Sequence, residues 1–137
     1  MLKSTGLLVL RLSIGLMLIH HGYEKLANID NFADAFVRPL GLPAPVTLSY
    51  TAAMSEILGS WLLITGLLTR AGAMLICGTM LFGMYHAIST SGFNIYLLEL
   101  LVLYFGGSTC LILNGAGDFS FDDLIVTGLR PKPTAVK

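Results

Sequence analysis

Four long apolar stretches, separated by shorter polar links, constrain this chain more than any other feature of its sequence. They cover residues 4–23, 46–68, 70–90 and 94–113. Each is close to the ~20 residues that an α-helix needs to cross the ~30 Å hydrocarbon core of a bilayer. Backbone polar groups in lipid must be satisfied within their own segment, so helices are the expected form. The sequence therefore predicts an all-α integral membrane protein.

The composition favours the same class of protein. Hydrophobic residues make up 55% of the chain and charged residues only 12%, against roughly 25% charged residues in an ordinary soluble domain. Eight basic residues balance eight acidic ones, and no basic patch indicates a nucleic acid partner. The partner that this composition predicts is the lipid bilayer.

The links between the stretches predict how the helices are connected. The links at 69–70 and 91–93 are minimal, so the second, third and fourth helices are expected to form tight antiparallel hairpins. The first link is longer, and residues 31–37 within it can form a short interfacial helix with Phe32 and Phe36 on one side. We expect one antiparallel four-helix bundle over residues 1–125 and a loose tail over residues 126–137.

The distribution of lysine and arginine predicts the orientation of the bundle in the membrane. With four spans, both termini lie on the same side. The basic residues on that side are Lys3, Arg70, Arg130, Lys132 and Lys137. The opposite side has only Lys25 and Arg38 outside the spans. Since basic residues favour the cytoplasmic side, both termini are expected in the cytoplasm.

Several ionisable side chains lie inside the apolar stretches or at their ends. A charge at the centre of a membrane helix costs on the order of 3 kcal/mol, so such residues are expected to face the bundle interior. Small residues mark the faces where membrane helices approach one another. At ~100° per residue, each ionisable residue shares a face with a glycine: Arg11 with Gly15 and Gly22, Glu56 with Gly59, His86 with Gly83, and Glu99 with Gly106.

Depth in the membrane indicates partners for these residues. His86 and Glu99 lie about equally far from the 91–93 turn, so one hairpin could pair them. The Arg11 side chain could extend toward Glu56 across roughly one helical turn. The alternative for each pair is structural, namely an ion pair or hydrogen bond that only holds two helices together.

Other interpretations apply at the outer ends of the helices. Lys25, beside Glu24, could be an interfacial anchor rather than a site residue. A metal site has suitable ligand types in His20, His21, His86 and Glu99. Because these four lack a defined spacing, no metal is predicted. Aromatic residues that could frame a quinone ring, although they more often serve packing, are Trp61, Tyr85, Tyr96, Tyr104 and Phe105.

Short motifs occur in a fixed order from Leu7 to Asp122. They are Arg11-x3-Gly15, His21-Gly22-x2-Lys25-Leu26, Gly41-Leu42-Pro43, Glu56-x2-Gly59, Thr65-Gly66-Leu67-x-Thr69-Arg70, His86, Glu99 and Asn114-Gly-Ala-Gly117-Asp118-Phe-Ser120-Phe-Asp122. In order and spacing they resemble the DoxX family. One departure is the Asn114-Gly-Ala-Gly run, where that family usually has proline before the last glycine.

The resemblance implies a four-helix bundle in the bacterial inner membrane. Some members of the family are subunits of thiosulfate:quinone oxidoreductase, and others are associated with membrane oxidoreductase complexes that respond to thiol or oxidative stress. Distant relatives act as assembly factors for membrane proteins. A shared fold does not fix the function of an individual chain.

The leading hypothesis is a membrane subunit of a redox complex that binds quinone or relays its protons. A buried carboxylate is suited to exchanging protons with a quinone. The residues predicted to be catalytic are Glu56, Glu99 and Arg11. The residues predicted to surround the cofactor are His21, Lys25 and His86.

The chain has no haem, iron–sulfur or dinucleotide-binding motif. Electrons would therefore come from a larger membrane protein complex or a soluble redox partner. The alternative hypothesis is a non-enzymatic accessory or assembly subunit of a larger membrane complex. A small transporter is a third possibility.

Overall fold

The protein is all-helical in a computed structural model that describes residues 1–128. Its α-helices are α1 (Leu2–Ala27), α2 (Ile29–Phe32), α3 (Pro45–Thr65), α4 (Thr69–Ser91), α5 (Ile95–Asn114) and α6 (Phe121–Gly128). A π-helical segment, Ala33–Val37, and a 3-10 turn, Arg38–Leu40, continue the chain from α2. The predicted fold class is confirmed, including the short helix between the first two long helices.

The four long helices form an antiparallel bundle. α3 packs against α1 on one side and α4 on the other, and α4 also packs against α5, whereas α1 and α5 touch only sparsely. The main cluster of the core, among the described residues, consists of the buried apolar side chains of Leu7, Ile14, Leu18, Leu63, Ala73, Ile76, Met80 and Leu111. The seam between α1 and α5 is therefore the least tightly closed part of the bundle.

The bundle has two distinct ends. We call the end with the α1–α3 connection and the α4–α5 turn the loop end, and the end with the start of α1, the α3–α4 turn and α6 the terminal end. α6 runs through Gly128, past the predicted domain boundary at residue 125. The rest of the predicted loose tail, residues 129–137, lies outside the described residues.

Glycines on α1 allow it to approach α3 closely. A Cβ atom on Gly15 would lie 2.9 Å from the backbone oxygen of Ser60, and one on Gly22 would lie 3.2 Å from the backbone oxygen of Ala53. Small residues permit such backbone approach between membrane helices. The prediction that Arg11 lies on the packing face of α1 is confirmed, because Arg11, Gly15 and Gly22 are all buried.

Three helices, α1, α4 and α5, are long and apolar enough to cross a membrane. α3 has 21 residues, which is a sufficient length, but its polar side chains reduce its apolar character. Three of these, Ser49, Glu56 and Ser60, are buried against neighbouring helices. Polar groups in a membrane helix are expected to face the bundle in this way. The structure thus supports a multi-pass membrane protein with three candidate spans, while α3 packs between two of them.

The C-terminal segment is fastened to the α3–α4 turn. The two carboxylate oxygens of Asp122 accept hydrogen bonds from the backbone N–H groups of Leu68 (2.7 Å) and Thr69 (3.0 Å). The Asp122 N–H in turn donates to the backbone oxygen of Gly66 (2.9 Å). A carboxylate at this position satisfies the free N–H groups at the start of α4. The C-terminal motif therefore closes the terminal end of the bundle.

Candidate functional site

A buried ion pair joins α1 to α3 near the loop end. The Lys25 ammonium, in the last turn of α1, donates a hydrogen bond to Oε1 of Glu56, at the middle of α3. Glu56 is only 2% exposed, and the Lys25 side chain is 22% exposed. Glu56 faces the bundle interior, as its helical phase predicted. Lys25 is its partner, so Lys25 is more than an interfacial anchor.

The predicted pairing of Arg11 with Glu56 is wrong. Arg11 is 1% exposed, and its guanidinium donates to the backbone oxygens of Leu63 (3.1 Å) and Phe119 (2.5 Å). At ~1.5 Å per residue, Arg11 lies about 20 Å from Lys25 along α1. The antiparallel crossing of α1 and α3 places Lys25, not Arg11, at the level of Glu56. Arg11 instead connects the end of α3 to the C-terminal segment.

The predicted pairing of Glu99 with His86 is also wrong. Glu99 is exposed on the outside of the bundle, and among the described residues no hydrogen bond joins it to His86. α5 packs mainly on α4, through a narrow face that includes the buried residue Leu98. Gly106, which was expected to mark the packing face, would have nothing within 4 Å of an added Cβ atom.

A small cavity lies beside the ion pair, and we call it the inner cavity. Its volume is about 100 Å³, and its lining includes Lys25, Glu56 and His86 together with Phe36 and Leu101. The structure thus brings together three of the six predicted site residues, one from each of α1, α3 and α4. Arg11 and Glu99 do not contribute to this lining.

The short helical connection covers the inner cavity at the loop end. The Phe36 ring lies 4.9 Å from the His86 ring, centroid to centroid, and it stacks on Phe32 at 4.8 Å. The Lys25 ammonium lies 5.2 Å from the centre of the Phe32 ring, within the range of a cation–π contact. The sequence placed both phenylalanines on one side of a helix but did not indicate that this side folds over the site.

A second cavity, of about 180 Å³, lies at the seam between α1 and α5, and we call it the lateral cavity. Its lining residues are Leu18, His21, Lys25, Glu56, Met80, Leu100, Leu101 and Tyr104. Most of this lining is apolar, and the polar groups come from His21, the ion pair and Tyr104. The lateral and inner cavities share four lining residues, Lys25, Glu56, Met80 and Leu101, so the ion pair borders both spaces.

His21 also belongs to a cluster at the outer edge of the site. One potential ligand atom from each of His20, His21 and Glu24 lies within 4.8 Å of the others. These ligand types suit a transition metal, but His20 and Glu24 are exposed. His86 and Glu99 do not join this cluster, so the four-residue metal set considered from the sequence does not assemble among the described residues.

Comparison with known proteins identifies the family. The family model for DoxX matches residues 6–88, which contain Lys25, Glu56, His86 and the helical connection that covers them. The chain belongs to the DoxX family. The matched region contains every polar residue that lines the two cavities except Tyr104. The polar part of the site therefore lies almost entirely within the segment that matches the family.

The DoxX chain also resembles a curated protein along most of its length. A relative from Haemophilus influenzae, described as an uncharacterized protein, is 34% identical over 131 residues. That match covers 90% of this chain and 85% of the relative. No solved structure matches this DoxX protein.

Proposed function

We propose that this DoxX protein is a membrane subunit of a redox complex and that it binds a quinone head group in the lateral cavity. The observation that carries the proposal is the Lys25–Glu56 ion pair in the lining of a mostly apolar cavity of about 180 Å³. An apolar pocket with a few converging polar groups is the usual form of a small-molecule site.

The size and lining of the lateral cavity suit one six-membered ring. A cavity of about 150 Å³ is large enough to take benzene, so 180 Å³ accommodates a ring of that class. Leu18, Met80 and Leu101 would contact the ring faces. The Lys25 ammonium would donate a hydrogen bond to a carbonyl oxygen, and Glu56 would exchange protons with the head group.

The position of the cavity supports entry from the bilayer. α1 and α5 touch only sparsely, so a lipophilic molecule could pass between them without crossing water. Quinones carry long apolar tails, and this seam would leave the tail among the acyl chains.

Electrons would come from a larger membrane complex or a soluble redox partner. We place the protein in the bacterial inner membrane with both termini in the cytoplasm, which puts the loop end on the opposite side.

Quinone binding tests the proposal directly. Purified protein in lipid nanodiscs would be titrated with decylubiquinone, with binding followed by calorimetry. We expect saturable binding that weakens about tenfold or more in Glu56→Gln and Lys25→Met, because each removes a charge-assisted contact. Glu99→Gln is the matched control, since this carboxylate lies outside both cavities. Absence of saturable binding, or unchanged binding in Glu56→Gln, would reject the proposal.

A different observation favours the second candidate function, a non-enzymatic accessory or assembly subunit. The outer face of α5 exposes Glu99 beside the large side chains of Tyr96 and Leu103, which are 81% and 71% exposed. A carboxylate directed at acyl chains is costly, and a partner helix with a hydrogen-bond donor would relieve that cost. A photocrosslinker at Leu103 should then capture one stoichiometric membrane protein, whereas the same crosslinker at Leu81 of α4 should not.

A further inference from the structure

Two buried polar atoms beside the inner cavity have no hydrogen-bond partner within residues 1–128. They are Oε2 of Glu56 and Nε2 of His86, and both residues line the cavity. Lys25 occupies only the other carboxylate oxygen, Oε1. Buried polar groups without partners are rare in proteins, and ordered water commonly satisfies them. Water held in the inner cavity would satisfy both atoms.

The volume of the inner cavity is large enough to hold water. A water molecule takes ~30 Å³ in the liquid, so a cavity of about 100 Å³ has room for two or three. A stable buried water needs two to four polar partners. Oε2 of Glu56, Nε2 of His86 and the Lys25 ammonium supply them from three different helices.

The groups that face this space define a direction for proton movement. α1 contributes Lys25, α3 contributes Glu56 and α4 contributes His86, whereas α5 contributes the apolar Leu101 and the helical connection contributes phenylalanine rings. His86 lies near the end of α4 at the loop end and is only partly buried. An imidazole can accept a proton on one nitrogen and release one from the other. His86 therefore lies between Glu56 and the aqueous phase at the loop end.

We propose that the inner cavity is a proton inlet, through which Glu56 exchanges protons with the loop-end aqueous phase by way of cavity water and His86. A proton taken up at Nδ1 of His86 is matched by one released from Nε2 to a cavity water, which passes a proton to Oε2 of Glu56. The net change is one proton moved to Glu56, with the His86 ring proton now on Nδ1 instead of Nε2; a ring flip or a return transfer restores the first tautomer. The Phe36 ring, whose centroid lies 4.9 Å from that of the His86 ring, limits the access of bulk water to this route.

This inference rests on the proposed function in one respect: the inlet would supply protons from solution to quinone chemistry in the lateral cavity. Proton access itself is measurable without any quinone. The full chain in nanodiscs would be given an acid jump, and the carboxyl stretch of protonated Glu56 followed by time-resolved infrared spectroscopy. Loss of the band in Glu56→Gln assigns it. Failure of quinone binding and failure of proton uptake are thus separate results.

His86→Gln keeps a polar side chain at the cavity but cannot relay a proton. We expect this variant to reach the wild-type final band amplitude, showing an intact fold, at a rate lower by about tenfold or more. His21→Gln is the same substitution in the lining of the lateral cavity. It tests whether protons reach Glu56 through that cavity instead. A wild-type rate in His86→Gln, slowing in His21→Gln alone, or no Glu56 band in the wild-type protein would each overturn the inference.

A second variant changes the rate in the opposite direction. Phe36→Ala removes the ring over His86 without removing any polar group, so proton uptake by Glu56 should become faster. Water-edited solid-state NMR should show stronger contact between water and the Glu56 carboxyl carbon in the same variant. Unchanged uptake and unchanged water contact in Phe36→Ala would contradict entry of water at the loop end.

Discussion

The Lys25 ammonium bonds one oxygen of the Glu56 carboxylate, while the second oxygen of the same carboxylate is buried without a partner among the described residues. The pair therefore both fastens α1 to α3 and leaves one oxygen available to the inner cavity. A purely structural ion pair is expected to have all its polar atoms satisfied. The unpaired oxygen and the position of Glu56 in the lining of two cavities together make this pair a candidate functional group.

Removing one member of the pair should destabilise the bundle more than removing both charges. Lys25→Met leaves a carboxylate that is 2% exposed without its cation, and breaking a buried pair in this way costs up to about 3–5 kcal/mol. Partial exposure of Lys25 places the expected loss at the lower end of that range. Unfolding in mixed micelles, followed by circular dichroism, measures it.

The double variant Lys25→Met with Glu56→Gln provides the control for this experiment. Because the carboxylate is then neutral, most of the stability lost in Lys25→Met should return. The stability lost in the double variant is compared with the sum of the losses in Lys25→Met alone and Glu56→Gln alone. If the two are equal, the pair contributes through packing rather than charge.

Arg11 is expected to be a structural residue, which differs from the catalytic role that the sequence predicted for it. Arg11→Lys should lower the free energy of unfolding by about 2 kcal/mol, because a lysine ammonium cannot reproduce the planar two-carbonyl contact. Quinone binding per folded molecule should be unchanged. Thermal denaturation of the purified protein measures the loss of stability.

Arg70 offers the matched control for that substitution. It is exposed, and within residues 1–128 its single hydrogen bond, to the backbone oxygen of Leu113, is 3.4 Å long. Arg70→Lys should change stability by no more than about 0.5 kcal/mol. Equal effects at the two arginines would show that the buried contacts of Arg11 add little.

The carboxylate of Asp122, although far from α4 in the sequence, should stabilise the start of that helix through its two hydrogen bonds. Asp122→Ala removes the acceptor for two backbone N–H groups and should cost about 1–2 kcal/mol. The amides of Leu68 and Thr69 should then exchange faster with deuterium. The neighbouring Asp123→Ala serves as the control, since its carboxylate makes no hydrogen bond among the described residues, and protection at Leu68 should persist there.

Close approach of α1 and α3 makes a glycine-to-alanine substitution informative. A Cβ atom on Gly15 would lie 2.9 Å from a backbone oxygen of α3, whereas one on Gly6 would meet nothing within 4 Å. Gly15→Ala should therefore lower stability by about 1–3 kcal/mol, while Gly6→Ala, in the same helix, should be neutral or slightly stabilising. Thermal melts of both variants in one detergent compare them, and equal melting temperatures would contradict the tight crossing.

The sequence predicted much of the fold because its main signals are physical requirements of a bilayer. Apolar stretches of sufficient length gave the long helices, and the phenylalanine spacing in the first link indicated the short interfacial helix. The helical phase of Glu56 correctly placed it inside the bundle, since a carboxylate in the middle of α3 has few alternatives to burial.

The partners within the site were harder to predict because they depend on how helices cross. The expected depths of the two residues put Glu56 within about one helical turn of the Arg11 side chain, whereas the glycine contacts of α1 set its position against α3 and bring Lys25 to the level of Glu56. Glu99 lies outside the bundle, despite the helical phase that it shares with Gly106, because α5 packs mainly on one neighbour, α4. A helix with one main neighbour has a narrow packing face, and its remaining glycines need not lie on it.

The hydrogen bonds of Asp122 to the α3–α4 turn have a consequence for biogenesis. Asp122 follows all four long helices in the chain, so the residue that fastens the turn is synthesised only after α5. Until then the α3–α4 turn lacks its hydrogen bonds to the Asp122 carboxylate. A product truncated before Asp122 would keep the backbone N–H groups of Leu68 and Thr69 without these acceptors.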